Sequence, residues 1–140
     1  MQSKNPSKIE IKSKEVKIDQ KDSEAYNNLD ERLEAIGNVH EAVTKYEAAI
    51  ELDPKDPYPH YSLGLIYHQQ GKLKDAKRLY IKAIECDPKY PTPHNNLALI
   101  LEEEGKVDEA IDEYKKAIEL DPEYPAPYFN LGNLLYYEDR

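Results

Sequence analysis

Apolar and small residues return along this chain in a fixed register. Leu29, Leu63, Leu97 and Leu131 recur every 34 residues, and so do Gly37, Gly71 and Gly105, the alanines 42, 76 and 110, the tyrosines 46, 80 and 114, and the alanines 49, 83 and 117. Asp53-Pro54, Asp87-Pro88 and Asp121-Pro122 keep the same period. A period of this length marks an array of one supersecondary unit, which buries its apolar face only by stacking on a neighbour. The unit reads as two helices. In 57–90, Leu63 and Tyr67 and then Leu73, Ala76, Tyr80, Ala83 and Ile84 fall at helical spacing, interrupted at Gly71. A glycine there can take the left-handed conformation that ends a helix. The prolines of Pro57-Tyr58-Pro59, Pro91-Thr92-Pro93 and Pro125-Ala126-Pro127 stand where a first turn has no backbone donor to lose. The columns predict an all-α chain with full helix–turn–helix repeats at 23–56, 57–90 and 91–124 and a half repeat at 125–140.

Two places break the register. Asp30 stands where Gly64, Ala98 and Gly132 stand in the other units, and a carboxylate without a partner is costly to bury. The first helix is therefore expected to pack more loosely than its copies. Upstream, Val16-Lys17-Ile18-Asp19 aligns with Ile50-Glu51-Leu52-Asp53, so residues 8–19 read as the worn second helix of an earlier unit, with lysine and glutamate in its small and aromatic columns. Polar replacement suits an outer capping element. The alternation of Ile9-Glu10-Ile11 and Val16-Lys17-Ile18 also suits short strands, and a flexible tail is the third reading of 1–22.

The columns resemble the tetratricopeptide repeat, whose pattern has an aromatic residue, Leu-Gly, Tyr, Ala with an aromatic four later, and Pro. Leu63-Gly64, Tyr67, Ala76, Tyr80 and Pro88 match it, as do Leu97-Ala98, Leu101, Ala110, Tyr114 and Pro122. The aromatic column is softened to Tyr26, His60, His94 and Tyr128. The resemblance covers 23–140 and implies a right-handed α-solenoid whose first helices line a concave ligand-binding face.

Charge narrows the partners. With 28 acidic and 19 basic side chains the net charge is −9, the wrong sign for phosphate neutralisation, so nucleic acid is not an expected partner. No stretch reaches the roughly 18 apolar residues of a membrane span. The amino terminus shows no secretory pattern, and the cytoplasm is the expected location. Cys86 is the single cysteine, and it shares a column with Leu52 and Leu120, so it reads as a small apolar packing residue rather than a nucleophile. His60 and His94 occupy equivalent columns of adjacent units, about 10 Å apart by helix packing, too far to share a zinc ion at about 2 Å from each ligand. The run Glu102-Glu103-Glu104 points in several directions on a helix and does not converge on one substrate. No catalytic residue, metal site or cofactor is expected.

The informative surface is the one that the resemblance assigns to the first helices. Its rows are Asn27, Tyr61, Asn95 and Phe129; Asn28, Ser62, Asn96 and Asn130; and Glu31, Leu65, Leu99 and Asn133. Residues 58–69, 92–104 and 126–137 contain no Lys or Arg and 24–35 contains only Arg32, so the basic clamp with which chaperone adaptors of this family hold a terminal carboxylate is missing. What remains is rich in asparagine, whose amide both donates and accepts along an extended backbone. This is similar to the asparagine ladder of O-GlcNAc transferase superhelices. The expected function is a non-catalytic module holding an extended, neutral or basic peptide of a protein partner. Leu134, Tyr136 and Tyr137 crowd the last helix and mark a candidate self-association face. A self-assembling homo-oligomer is accordingly one alternative, and a fragment of a larger enzyme such as a glycosyltransferase is another.

Overall fold

The computed structural model describes the backbone of residues 20–138 and the side chains of 35–138. These residues form six helices and no strand: α1 (Gln20–Leu52), α2 (Pro57–Gln69), α3 (Leu73–Cys86), α4 (Pro91–Glu103), α5 (Val107–Leu120) and α6 (Pro125–Glu138). They fall in two compact units, 1–42 and 43–140. In the second unit α2 pairs with α3 and α4 with α5, α3 packs on α4, and α6 packs on α5 and α4. This is an all-α stack of helical hairpins.

Each hairpin turns where its glycine permits. Gly71 and Gly105 have φ of 78° and 79°. Beyond the first, the amide of Lys72 donates to the Tyr67 carbonyl at 2.8 Å; beyond the second, the amide of Lys106 donates to Leu101 at 2.9 Å. These bonds satisfy carbonyls that a helix end otherwise leaves unpaired. The connections between hairpins repeat as closely. The carboxylates of Asp53, Asp87 and Asp121 each accept the amide two residues on, at 3.2, 3.0 and 3.1 Å, the local turn that aspartate favours.

Small residues set the interhelix distance. Ala76, Tyr80 and Ala83 on α3 and Ala110, Tyr114 and Ala117 on α5 are wholly buried. A methyl group at Gly64 would lie 2.9 Å from a ring carbon of Tyr80 and 3.2 Å from Cβ of Leu79, so α2 and α3 approach there as only glycine allows.

The first repeat departs from its expected shape. Instead of turning at Gly37, α1 continues through it as one helix, and Gly37 does not take the left-handed conformation of Gly71 and Gly105. The reason lies seven residues earlier. Asp30 holds the column in which Gly64 admits Tyr80, and a carboxylate without a partner is costly to bury. The chain keeps its helical backbone bonds through Gly37. Tyr46 and Ala49 are accordingly half-buried, whereas their copies are buried. The capping-helix reading of 8–19 lies outside the described residues.

Candidate peptide-binding surface

The surface is built on the connections that fix each first helix. The Nε2 of His60 donates to the Pro54 carbonyl at 2.9 Å and that of His94 to Pro88 at 3.1 Å. The Tyr128 hydroxyl does the same to Pro122 at 2.9 Å. The column of softened aromatics is therefore a column of ring donors, each tying the Asp-Pro connection to the helix that follows. His94 uses its second nitrogen as well, 2.7 Å from Glu113 Oε1. Burial pushes the Glu113 carboxyl up, but the hydrogen bond from His94 and the charge of Lys116 pull it further down, leaving it below its ordinary value.

On the exposed side of these connections the amides form a chain. Asn130 Nδ2 donates to Asn95 Oδ1 at 3.1 Å, Asn95 Nδ2 donates to Asn96 Oδ1 at 3.1 Å, and Asn96 Nδ2 donates to the Tyr61 hydroxyl at 3.3 Å. The Tyr80 hydroxyl, 3.5 Å from the same Asn96 nitrogen, lies 3.0 Å from His68 Nδ1. One network thus ties α2, α3, α4 and α6 together. Tyrosine rings extend it. Tyr90 meets Tyr58 and Tyr61 edge-on, at centroid distances of 5.2 and 5.6 Å, a favoured aromatic geometry. Burial, with the neighbouring phenols of Tyr61, Tyr58 and Tyr124, pushes the Tyr90 hydroxyl up to about 12.

The expected site residues divide by accessibility. Asn95 and Asn96 are 3% and 8% exposed, with their amides engaged in the network, so they form the floor. Tyr61, Leu65, Leu99 and Asn130 are half-buried, and Asn133 is exposed. Phe129 stands out at 70% exposure. Asn27 and Asn28 lie on α1, and their side chains are outside the described residues. Tyr58 and Tyr90 join the surface without having been expected there; the signal available was that Tyr90 and Tyr124 share a column with Asp56.

Other expectations are corrected. Leu134, a candidate for self-association, is 4% exposed and belongs to the chain's own core with Leu97, Leu101 and Tyr114. It fills the space between α6 and its neighbours, while Leu135, Tyr136 and Tyr137 face outward. The acidic run diverges to three separate partners. Glu102 accepts the Tyr114 hydroxyl at 2.7 Å, Glu103 lies 3.5 Å from His68, and Glu104 pairs with Lys77 at 2.8 Å. Cys86 is half-buried, its thiol donating to the Pro54 carbonyl at 3.5 Å. Among the described residues no group of His, Cys, Asp and Glu is placed to hold a metal ion, and no helix is long and apolar enough to cross a membrane.

Comparison with known proteins places this architecture. The TPR repeat family matches residues 35–71, 64–105 and 99–137. Similar solved structures include a variant of the Thermobaculum terrenum O-GlcNAc transferase, 27% identical with a TM-score of 0.66 over 72% of this chain and 19% of that one. The first TPR of Spaghetti, bound to the HSP90 peptide SRMEEVD, is 18% identical with a TM-score of 0.69 over 79% of this chain and 87% of that one. MamA is 23% identical with a TM-score of 0.67, over 75% of this chain and 61% of that one. The chain thus spans about a fifth of the transferase and under two thirds of MamA. A search of curated protein sequences finds no match. The chain belongs to the tetratricopeptide repeat family, and its repeats make it a protein-interaction module in the general sense of that family.

Proposed function

We propose that the chain binds an extended, neutral or basic peptide segment of a protein partner along the surface of its first helices, without catalysing a reaction on it. The observation that carries this reading is the combination on α2, α4 and α6 of a self-satisfied amide floor with an accessible row of Tyr61, Leu65, Leu99, Phe129, Asn130 and Asn133. A pre-bonded floor has little freedom left to lose when a ligand settles on it. The apolar side chains supply contact area, and the outer amides of Asn130 and Asn133 supply donors and acceptors for a backbone of any sequence. Because α2, α4 and α6 contain no Lys or Arg, an acidic segment finds no counter-charge on them.

A structural relative, the first TPR of Spaghetti, is bound to a peptide, which supports the general mode. The test is affinity capture with two baits, the native chain and a Phe129→Ser, Asn133→Ala variant. Both substitutions fall on exposed positions, so helix content should be unchanged by circular dichroism. A partner held by the native chain should be recovered about tenfold less by the variant. Equal recovery by both baits would remove the first-helix surface from consideration.

A further inference from the structure

A second surface, on the α3 side of the α2–α3 hairpin, differs from its copy on the α4–α5 hairpin in the residues that line it. A cavity of about 880 Å³ opens there, floored by Ile50, Leu63, Leu79 and Ile81 beside the buried His60. The corresponding position of the next hairpin holds a cavity of about 320 Å³, walled on one side by Lys77 and Ile81 of α3 and lined by Leu97 and Leu101 with Glu109, Asp112, Glu113 and Lys116.

The two hairpins share their buried columns and so provide an internal control. Leu79 replaces Glu113 and Ile81 replaces Lys115, which makes the floor apolar. Lys74 replaces Asp108 and Arg78 replaces Asp112. With Lys82 they form a row at four-residue spacing, the spacing that places side chains on one face of a helix. The same row reads His40, Thr44 and Ala48 in the first repeat and Asp108, Asp112 and Lys116 in the third. The exchange at 79 also has a cost within the fold: the Nδ1 of His60 is buried with no hydrogen-bond partner, whereas His94 Nδ1 has Glu113. Leu79 is part of the core, whereas the row Lys74, Arg78 and Lys82 is exposed and is thus open to a ligand.

From this difference we infer that the α3 surface is a second docking site, whose occupant is an amphipathic helix of a protein partner with acidic side chains at four-residue spacing. Charge selects that occupant. Lys74, Lys77, Arg78 and Lys82 line the cavity against Glu85 and Glu104. Lys77 is held by Glu104 at 2.8 Å, but the pairs Arg78–Asp75 and Lys82–Glu85, at 3.0 and 3.8 Å, are solvent-exposed. Exposed pairs of this kind contribute little and exchange readily for carboxylates brought in beside an apolar contact. The chain's own amino-terminal stretch does not fit the role, because its lysines at 4, 8, 12, 14, 17 and 21 carry the same sign as the row.

The probe is a fluorescein-labelled, alanine-based helical peptide with three glutamates at four-residue spacing beside a row of leucines, read by fluorescence anisotropy at low salt. Saturable binding is expected, weakened at least about tenfold when glutamine replaces the glutamates or when the protein carries Lys74→Asp with Arg78→Asp. Leu79→Glu should abolish it. Each substitution installs the residue that the third repeat already carries, and circular dichroism confirms that the hairpin stays folded. The Phe129→Ser, Asn133→Ala variant should bind the probe as the native chain does, which separates this site from the first-helix surface. No saturable binding, or equal affinity for the glutamate and glutamine peptides, would overturn the proposal. So would binding of phosphatidylserine vesicles in its place, or a light-scattering dimer that Lys74→Asp with Arg78→Asp dissolves.

Discussion

Single side chains in this protein do two jobs at once. The column that the repeat pattern fills with an aromatic ring holds His60, His94 and Tyr128, and each donates to the carbonyl of a proline six residues back. A ring with a donor at its far end satisfies packing and connection together. Reading that column as softened aromatics captured the packing but not the bond, because spacing along a chain does not show which carbonyl a ring reaches. At His94 the second nitrogen adds a titratable contact. The Glu113 carboxyl sits below its ordinary value of 4.5 despite burial, held down by His94 and Lys116. A carboxyl depressed in the folded state stabilises the fold above the ordinary carboxylate range, and this contribution fades as pH falls through the folded value. Glu113→Gln should therefore lower the melting temperature most at neutral pH, and the gap to the native chain should close on acidification. A gap that stays constant down to strongly acid pH would show that the pair contributes no such linkage.

At the scale of the helix, identical columns lead to different outcomes. Gly71 and Gly105 turn their hairpins in the left-handed conformation, while Gly37 is carried inside α1. Residue 37 has the turn-forming type and the right position, so the pattern alone predicts a third hairpin. The column seven residues earlier differs, with Asp30 where Gly64 lets Tyr80 within reach of α2. In the pattern, Asp30 signals looser packing but not the loss of the turn at Gly37. The two glycines should respond to alanine in opposite senses. Gly71→Ala forces a side chain into the left-handed region and should cost about 1 kcal/mol or more. Gly37→Ala removes a flexible residue from a helix, with nothing within 4 Å of the added methyl, and should raise helix stability by roughly 0.5–1 kcal/mol. Amide hydrogen exchange across 35–45 reads the second effect directly. Faster exchange in the alanine variant would mean that Gly37 is a turn after all.

For the whole molecule, the hairpin architecture and most of its buried columns were legible in the sequence, because a solenoid writes its interior once per repeat. The surface was legible only in part. Asn95, Asn96 and Asn130 were recognised as a set, but their mutual hydrogen bonds depend on helix-to-helix distance, which no single repeat encodes. Leu134 was misread for a related reason: at the end of an array the pattern does not tell which face of the last helix is covered, and α6 turns Leu134 into the core. The second unit has distinct faces, with α2, α4 and α6 free of lysine and arginine and a row of cations on α3.

A partner peptide is proposed to lie along the first-helix surface. The most direct measurement is chemical-shift mapping of the isotopically labelled chain with the strongest binder from an unbiased peptide-display selection. The account predicts perturbations at Tyr61, Leu65, Leu99, Phe129, Asn130 and Asn133, and a selected sequence that is extended and neutral or basic. Perturbations confined to other positions, such as the outward face of α5 or the tip of α6, would contradict it.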